Sequence, residues 1–167
     1  KNALAKRSSL GFDANRIVPS LYRPFSKHWL YFDRALNEMV YQMPRLFPRS
    51  GVENRVIGVS ASESRSGYSV LMADVVPSLH AADMVGSQFF PLYLYDDSDP
   101  DTDDDAAPTL FAAPKKAPAG TTRRDGITDA GLAHFQAAYP GETITKEDVF
   151  YYVYGILHSA DYRERYA

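Results

Sequence analysis

Residues 96–126, DDSDPDTDDDAAPTLFAAPKKAPAGTTRRDG, constrain the fold more than any other stretch of the chain. They hold eight acidic residues against four basic ones and show no apolar period. A segment of that composition cannot bury enough surface to offset the entropy of ordering it. It is expected to be an acidic, Pro/Ala-rich surface loop. The packed structure must therefore come from the two arms that flank it.

The arms differ in period. In residues 16–95, RIVPSLYR and HWLYFD are rich in aromatic and β-branched residues, as strands prefer, and NRVIGVSA, GYSVLMAD and QFFPLYLY are short apolar runs of strand length. ALNEMVYQMPRLFP, between them, reads as a short helical or irregular piece broken by Pro44 and Pro48. Residues 127–167 read as helix. Thr128 can cap DAGLAHFQAAYP, with Ile127 as its staple and Leu132 and Phe135 inward. Thr145 and Asp148 have capping-box spacing, and Val149, Tyr152, Val153, Ile156 and Leu157 then recur on one helical face. Ser159 can cap a last helix, which runs to Tyr166 with no Gly, Asn or Pro to stop it. That ending, and a start at Lys1, read as a domain truncated at its C-terminus and cut from a longer chain. Strands followed by helices predict an α+β fold, strand-rich first and helical after. Residues 1–15 read as a linker leading into a single domain over 16–167.

Composition excludes several classes. A chain of 167 residues with 45% hydrophobic residues suits one globular domain. It has no Cys, so neither disulfides nor thiolate chemistry are available, which fits a cytoplasmic setting. No run of 18 apolar residues offers a membrane span, so no membrane partner is expected. The net charge of -3 is segregated, because residues 1–50 carry nine Lys/Arg against three Asp/Glu. That bias points to a polyanion-binding face in the N-terminal third, although solvated surface charge accounts for it as well.

The motifs of catalysis are missing. DPDTDD places Asp99, Asp101 and Asp103 as a calcium loop would, but Asp104 stands where that loop needs Gly and Leu110 where it needs Glu. No HExxH, GxSxG, phosphate-cradling GxxxxGK[ST] or GxGxxG is present. His158, at a helix C-terminus, has a structural explanation in the helix dipole. A hydrolase using His80 with Asp74 or Asp83 is the one catalytic arrangement that can be drawn.

Two stretches suit nucleic acid instead. YRPFSKHWLYFDR sets Arg23, Lys27, His28 and Arg34 among Tyr22, Phe25, Trp29, Tyr31 and Phe32. Cations so placed can neutralise phosphates while the rings anchor the scaffold; the rings read equally well as core with cations at its border. SASESRSG, residues 60–67, joins two expected strands with hydrogen-bonding side chains, and Arg and Glu can read guanine and cytosine edges. As an isolated loop it could also be a plain connector.

LYRPFSKHWLYFD, NRVIGVSA with YSVLMADVVPSLH, SQFFPLYLY and VFYYVYGILHSADYRERYA, taken in series, resemble the C-terminal target-recognition region of Type ISP restriction–modification enzymes. The likeness runs from about Leu21 to Ala167, and the acidic stretch departs from it. Such enzymes join a nuclease, a helicase-like ATPase, an adenine-specific DNA methyltransferase and a recognition domain in one chain. The resemblance implies sequence-specific recognition of double-stranded DNA in this piece, with catalysis and the ATP, Mg and S-adenosylmethionine sites in the rest of the parent chain, whose domains would be its other partners. No cofactor is expected here, and the methyltransferase [DN]PP[YF] tetrapeptide is absent. On charge and loop position, Arg23, Lys27, Arg34, Arg45, Arg49 and Arg55 are the candidate phosphate contacts, and Ser62, Glu63, Ser64 and Arg65 the candidate base readers. The alternative to DNA binding is a protein-interaction module docking through the C-terminal helices.

Overall fold

The strand that begins at Val56 carries apolar residues at successive positions, so both of its faces must be covered. The computed structural model describes residues 11–60, 67–82, 86–96 and 122–166, and it shows how this is done. Strand β1 (Ile17–Arg23) pairs antiparallel with β2 (Ser26–Tyr31), Ile17 opposite Tyr31 and Leu21 opposite Lys27. A four-residue helix, α1 (Met43–Leu46), follows and leads to β3 (Val56–Ser60). Then come β4 (Val70–Ala73), β5 (Val76–Pro77), β6 (Ser87–Pro91), β7 (Tyr93–Asp96) and β8 (Thr122–Asp125). Helices α2 (Asp129–Ala138), α3 (Lys146–His158) and α4 (Ala160–Tyr166) complete the described chain. The fold is α+β, with the strands first.

The strands form three small sheets, ordered β2-β1-β5, β4-β3-β6 and β7-β8. The central strand β3 serves two cores. Val56 packs with Val18, Leu21, Leu46, Phe47 and Val76 between the first sheet and α1. Ile57, on the opposite face, packs with Leu92 and with Phe150 of α3. Gly58 sits opposite Phe89, and a Cβ there would lie 2.7 Å from that ring, so the glycine lets Phe89 lie across β3. Asn54 stitches the cores together. Its buried amide donates to the carbonyls of Leu46 and Tyr93 at 2.8 Å each and accepts from the amides of Tyr93 and Arg55 at 3.0 and 2.8 Å.

The caps expected in the helical arm are present. Thr128 accepts from the Gly131 amide, Thr145 and Asp148 make a reciprocal capping box, and Ser159 accepts from the Tyr162 amide. Four expectations need correction. QFFPLYLY is not one strand, because Leu92 turns into the second core and donates its amide to the Arg55 carbonyl, which passes the chain from one sheet to another. The stretch 96–126 is not loop throughout, since residues 122–125 form β8. There Arg124 meets the Asp96 carboxylate at 3.0 Å and Arg123 lies 4.2 Å from the Tyr93 ring centroid. Pro44 does not break α1 but occupies its first turn, where the missing amide costs nothing. Finally, the inward arc of α3 is Val149, Phe150, Tyr154 and Leu157, whereas Tyr152, Val153 and Ile156 face solvent. The helix is apolar over more than half its circumference, so the period could not say which stripe the sheet would take.

Candidate nucleic-acid interface

The structure places the six cations marked by the charge pattern in two different situations. Four are engaged. Arg23, at the end of β1, donates to the His80 carbonyl at 3.4 Å and lies 5.4 Å from the Tyr22 ring centroid. Lys27 on β2 donates to Asp74 at 3.0 Å, and that hydrogen bond holds the Asp74 carboxyl below the usual carboxylate range. Arg45 in α1 donates to Asp96 at 2.8 Å and to Gln42 at 3.2 Å. Arg55 pairs at 3.6 Å with Glu53.

Arg34 and Arg49 differ. Neither has a carboxylate partner among the described residues, and both line one cleft of about 300 Å³. The chain brings them together by local turns. Asp33 accepts from the Ala35 amide at 2.6 Å, an Asx turn that closes β2 and carries Arg34 with it. Arg49 follows buried Phe47, the last core residue of the α1 segment. Arg16 shares the cleft but is held by Asp33 and, at 3.7 Å, by Asp13. Both acidic residues of the cleft engage Arg16, so its three arginines and two aspartates leave a net charge of +1, and Arg34 and Arg49 each keep a fork of donors suited to a phosphate.

The aromatic residues around these cations do not form the expected anchor. Leu30 and Phe32 pack on the first core, but Trp29 is 77% exposed and Tyr22 and Phe25 are also exposed. Phe25, at the tip of the β1–β2 turn, has φ 65°; Met39 and Tyr41, before α1, have φ 57° and 46°. These are the non-glycine residues with left-handed backbone among the described ones, and all three are large and exposed. Sequence reasoning missed them because left-handed φ favours Gly or Asn, so a Phe, Met or Tyr gives no signal. Met39 and Tyr41 line an open groove of about 540 Å³ with Gln42, His80, Gln88 and Phe89. Arg23, through its bond to the His80 carbonyl, connects the hairpin to the edge of this groove.

The candidate base readers Ser62, Glu63, Ser64 and Arg65 lie outside the described residues. The hairpin that carries them is built as expected, with β3 and β4 antiparallel, the Ser60 amide donating to the Ser69 carbonyl at 2.9 Å and the Ser69 amide to Ser60 Oγ at 3.0 Å. Asp99, Asp101, Asp103 and Asp104 of the acidic stretch, and Asp83, also fall outside the described residues. His80 is exposed and its ring meets no carboxylate among the described residues, because Asp74 is turned toward Lys27. Among the described residues no three His, Asp or Glu are gathered as metal ligands. No described helix is long and apolar enough to cross a membrane.

The family model for the Type ISP C-terminal specificity domain matches residues 1–167. Among solved structures, the chain is similar to the DrdV–DNA complex at 38% identity and TM-score 0.77, over 96% of this chain and 14% of that one. It is also similar to the ATP-dependent Type ISP restriction–modification enzyme LlaBIII bound to DNA, at 27% identity and TM-score 0.72, over 99% of this chain and 10% of that one. A nuclease-deletion mutant of the Type ISP enzyme LlaGI in complex with a DNA substrate mimic matches at 26% identity and TM-score 0.68, over 98% of this chain and 10% of that one. No curated protein matches. The chain thus spans about a tenth to a seventh of the enzymes it resembles.

Proposed function

The chain belongs to the Type ISP C-terminal specificity domain family, and on that premise we propose that it holds duplex DNA and reads a short asymmetric sequence on behalf of a larger restriction–modification enzyme. The observation that carries this reading is the 38%-identical match, along 96% of this chain, to a protein solved as a DNA complex. Arg34 and Arg49 take backbone phosphates first, since neither is paired with a carboxylate among the described residues. Arg23, Lys27, Arg45 and Arg55 join only where a phosphate replaces a partner each already has. Ser62, Glu63, Ser64 and Arg65, at the end of the β3–β4 hairpin, read base edges. An adenine methyltransferase, a nuclease and an ATP-driven motor, with their ATP, Mg and S-adenosylmethionine, belong to other parts of the same longer protein, which works in the cytoplasm. The remaining domains of that protein are the second partner, and the exposed Tyr152, Val153 and Ile156 of α3 are the face offered to them.

The test is selection from a randomised duplex pool by the full-length protein that carries this chain, with sequencing of the retained DNA. One short asymmetric motif is expected. Retention without any sequence preference would leave a DNA-holding domain but remove the recognition role.

A further inference from the structure

The groove in front of α1 has core residues Met43 and Leu46 in its lining, and two of its other walls are held at a backbone cost. Met39 and Tyr41 stand at left-handed φ with their side chains largely exposed, which costs a non-glycine residue on the order of 1 kcal/mol each. Strain of this kind persists at sites where a side chain must be presented. Two amides line the groove beside them. Gln42 accepts at its Oε1 from Arg45 Nη1 at 3.2 Å, and Arg45 is fixed in turn by Asp96 at 2.8 Å. That chain of bonds engages the Gln42 oxygen, while its Nε2 donor has no acceptor among the described residues. Gln88, exposed on the edge strand β6, has neither end of its amide engaged among the described residues.

A free glutamine amide offers one donor and one acceptor side by side, the pattern that pairs with N7 and N6 of adenine in the major groove. Apolar neighbours such as Met39 and Tyr41 suit the thymine methyl. Arg23 bounds the groove through the His80 carbonyl and supplies positive charge at its edge. We propose that this groove is a base-reading site of the domain, distinct from the β3–β4 hairpin loop, in which Gln88 pairs with an adenine edge and Gln42 donates to a neighbouring base acceptor. The proposal rests on the DNA-recognition reading above and assigns part of the specificity to residues that lie elsewhere in the fold.

The pool selection is repeated with Gln88→Ala, Gln88→Glu and Gln42→Ala in the full-length protein. Both glutamines are exposed, so the thermal midpoint should hold in each variant. Gln88→Ala should return the wild-type motif with one A·T position made degenerate. Affinity for the wild-type motif should fall about 10- to 100-fold while affinity for scrambled duplex is unchanged. Gln88→Glu should move that position toward C·G, because a carboxylate accepts from cytosine N4. Gln42→Ala should relax a second, adjacent position. An unchanged motif and an unchanged ratio of wild-type to scrambled affinity in all three variants would overturn the proposal. So would equal losses on both duplexes, which would mean that the groove touches the DNA backbone and not a base edge. If the wild-type protein itself selects no motif, the recognition reading falls and the groove proposal falls with it, whereas a motif that the variants leave intact refutes the groove alone.

Discussion

The two ends of the described chain handle their polar and strained groups in opposite ways. In the helical arm nearly every cost is met within that arm or by the strand that leads into it. Thr128, Thr145 and Ser159 each cap the helix that follows, and Lys146, a cation placed unfavourably at a helix N-terminus, is balanced by Asp125 at 3.0 Å and Asp129 at 2.6 Å. In the region of β1, β2 and α1 costs are left standing. Phe25, Met39 and Tyr41 hold strained backbone while exposed, and Arg34 and Arg49 line one cleft whose carboxylates, Asp13 and Asp33, are both engaged with Arg16. One region is finished by its own contacts. The other presents surface whose expense the isolated domain does not recover, as expected where the recovery comes from a bound partner.

Variants that separate stability from binding test that contrast. The largest stability effect is expected where the regions are joined. Asn54→Ala leaves the carbonyls of Leu46 and Tyr93 and the amides of Tyr93 and Arg55 without a partner, so it should cost about 3 kcal/mol, or roughly 8 °C in Tm. A loss below about 1 kcal/mol would mean that the two cores are not tied through this amide. Thr145→Ala should cost about 1 kcal/mol, read from the urea midpoint, because it removes the cap of α3. Indifference to that change would weaken the claim that the helical arm is finished locally.

On the strained side the effects should be smaller and partly of opposite sign. Phe25→Gly relieves the left-handed backbone at the turn but frees the unfolded chain, so stability should stay within about 0.5 kcal/mol of wild type. A clear loss would show that the ring packs. The Lys27–Asp74 pair should matter least, because both groups are largely exposed and water screens them. Its sign is set, however. The bond from Lys27 lowers the Asp74 pKa in the folded state, so its small stabilisation is complete above the ordinary carboxylate pKa near ~4 and disappears as pH falls through the folded value. Chemical denaturation of Asp74→Asn and wild type at pH 6 and pH 3 should differ by less than about 0.5 kcal/mol, with wild type the more stable only at the higher pH.

The same contrast explains what could be read from the chain. Helix caps act across three residues, so Thr145, Asp148 and Ser159 declared themselves by spacing. Strands β1 to β4 followed from β-branched and aromatic runs. The two-residue β5 and the polar β8 did not, because Val76 joins β1 in parallel from far along the chain and Arg123 and Arg124 are held by partners some thirty residues away. Selection of cations by charge pattern named Arg34 and Arg49 together with Arg23, Lys27, Arg45 and Arg55. It could not divide them, since only folding sets Asp74 beside Lys27 and Asp96 beside Arg45. The sites Met39, Tyr41 and Gln88 were invisible for a related reason: φ and exposure are properties of the folded chain.

The central claim is that Arg34 and Arg49, which have no carboxylate partner among the described residues, and not the internally paired cations, grip the DNA backbone. It is tested most directly by the salt dependence of duplex affinity, measured with the full-length protein carrying Arg34→Ala, Arg49→Ala or Arg45→Ala. If the claim holds, each of the first two flattens the slope of log K against log salt by about one unit, for cognate and scrambled duplex alike, while Arg45→Ala leaves the slope at its wild-type value. A full-unit change with Arg45→Ala and none with Arg34→Ala or Arg49→Ala would contradict it.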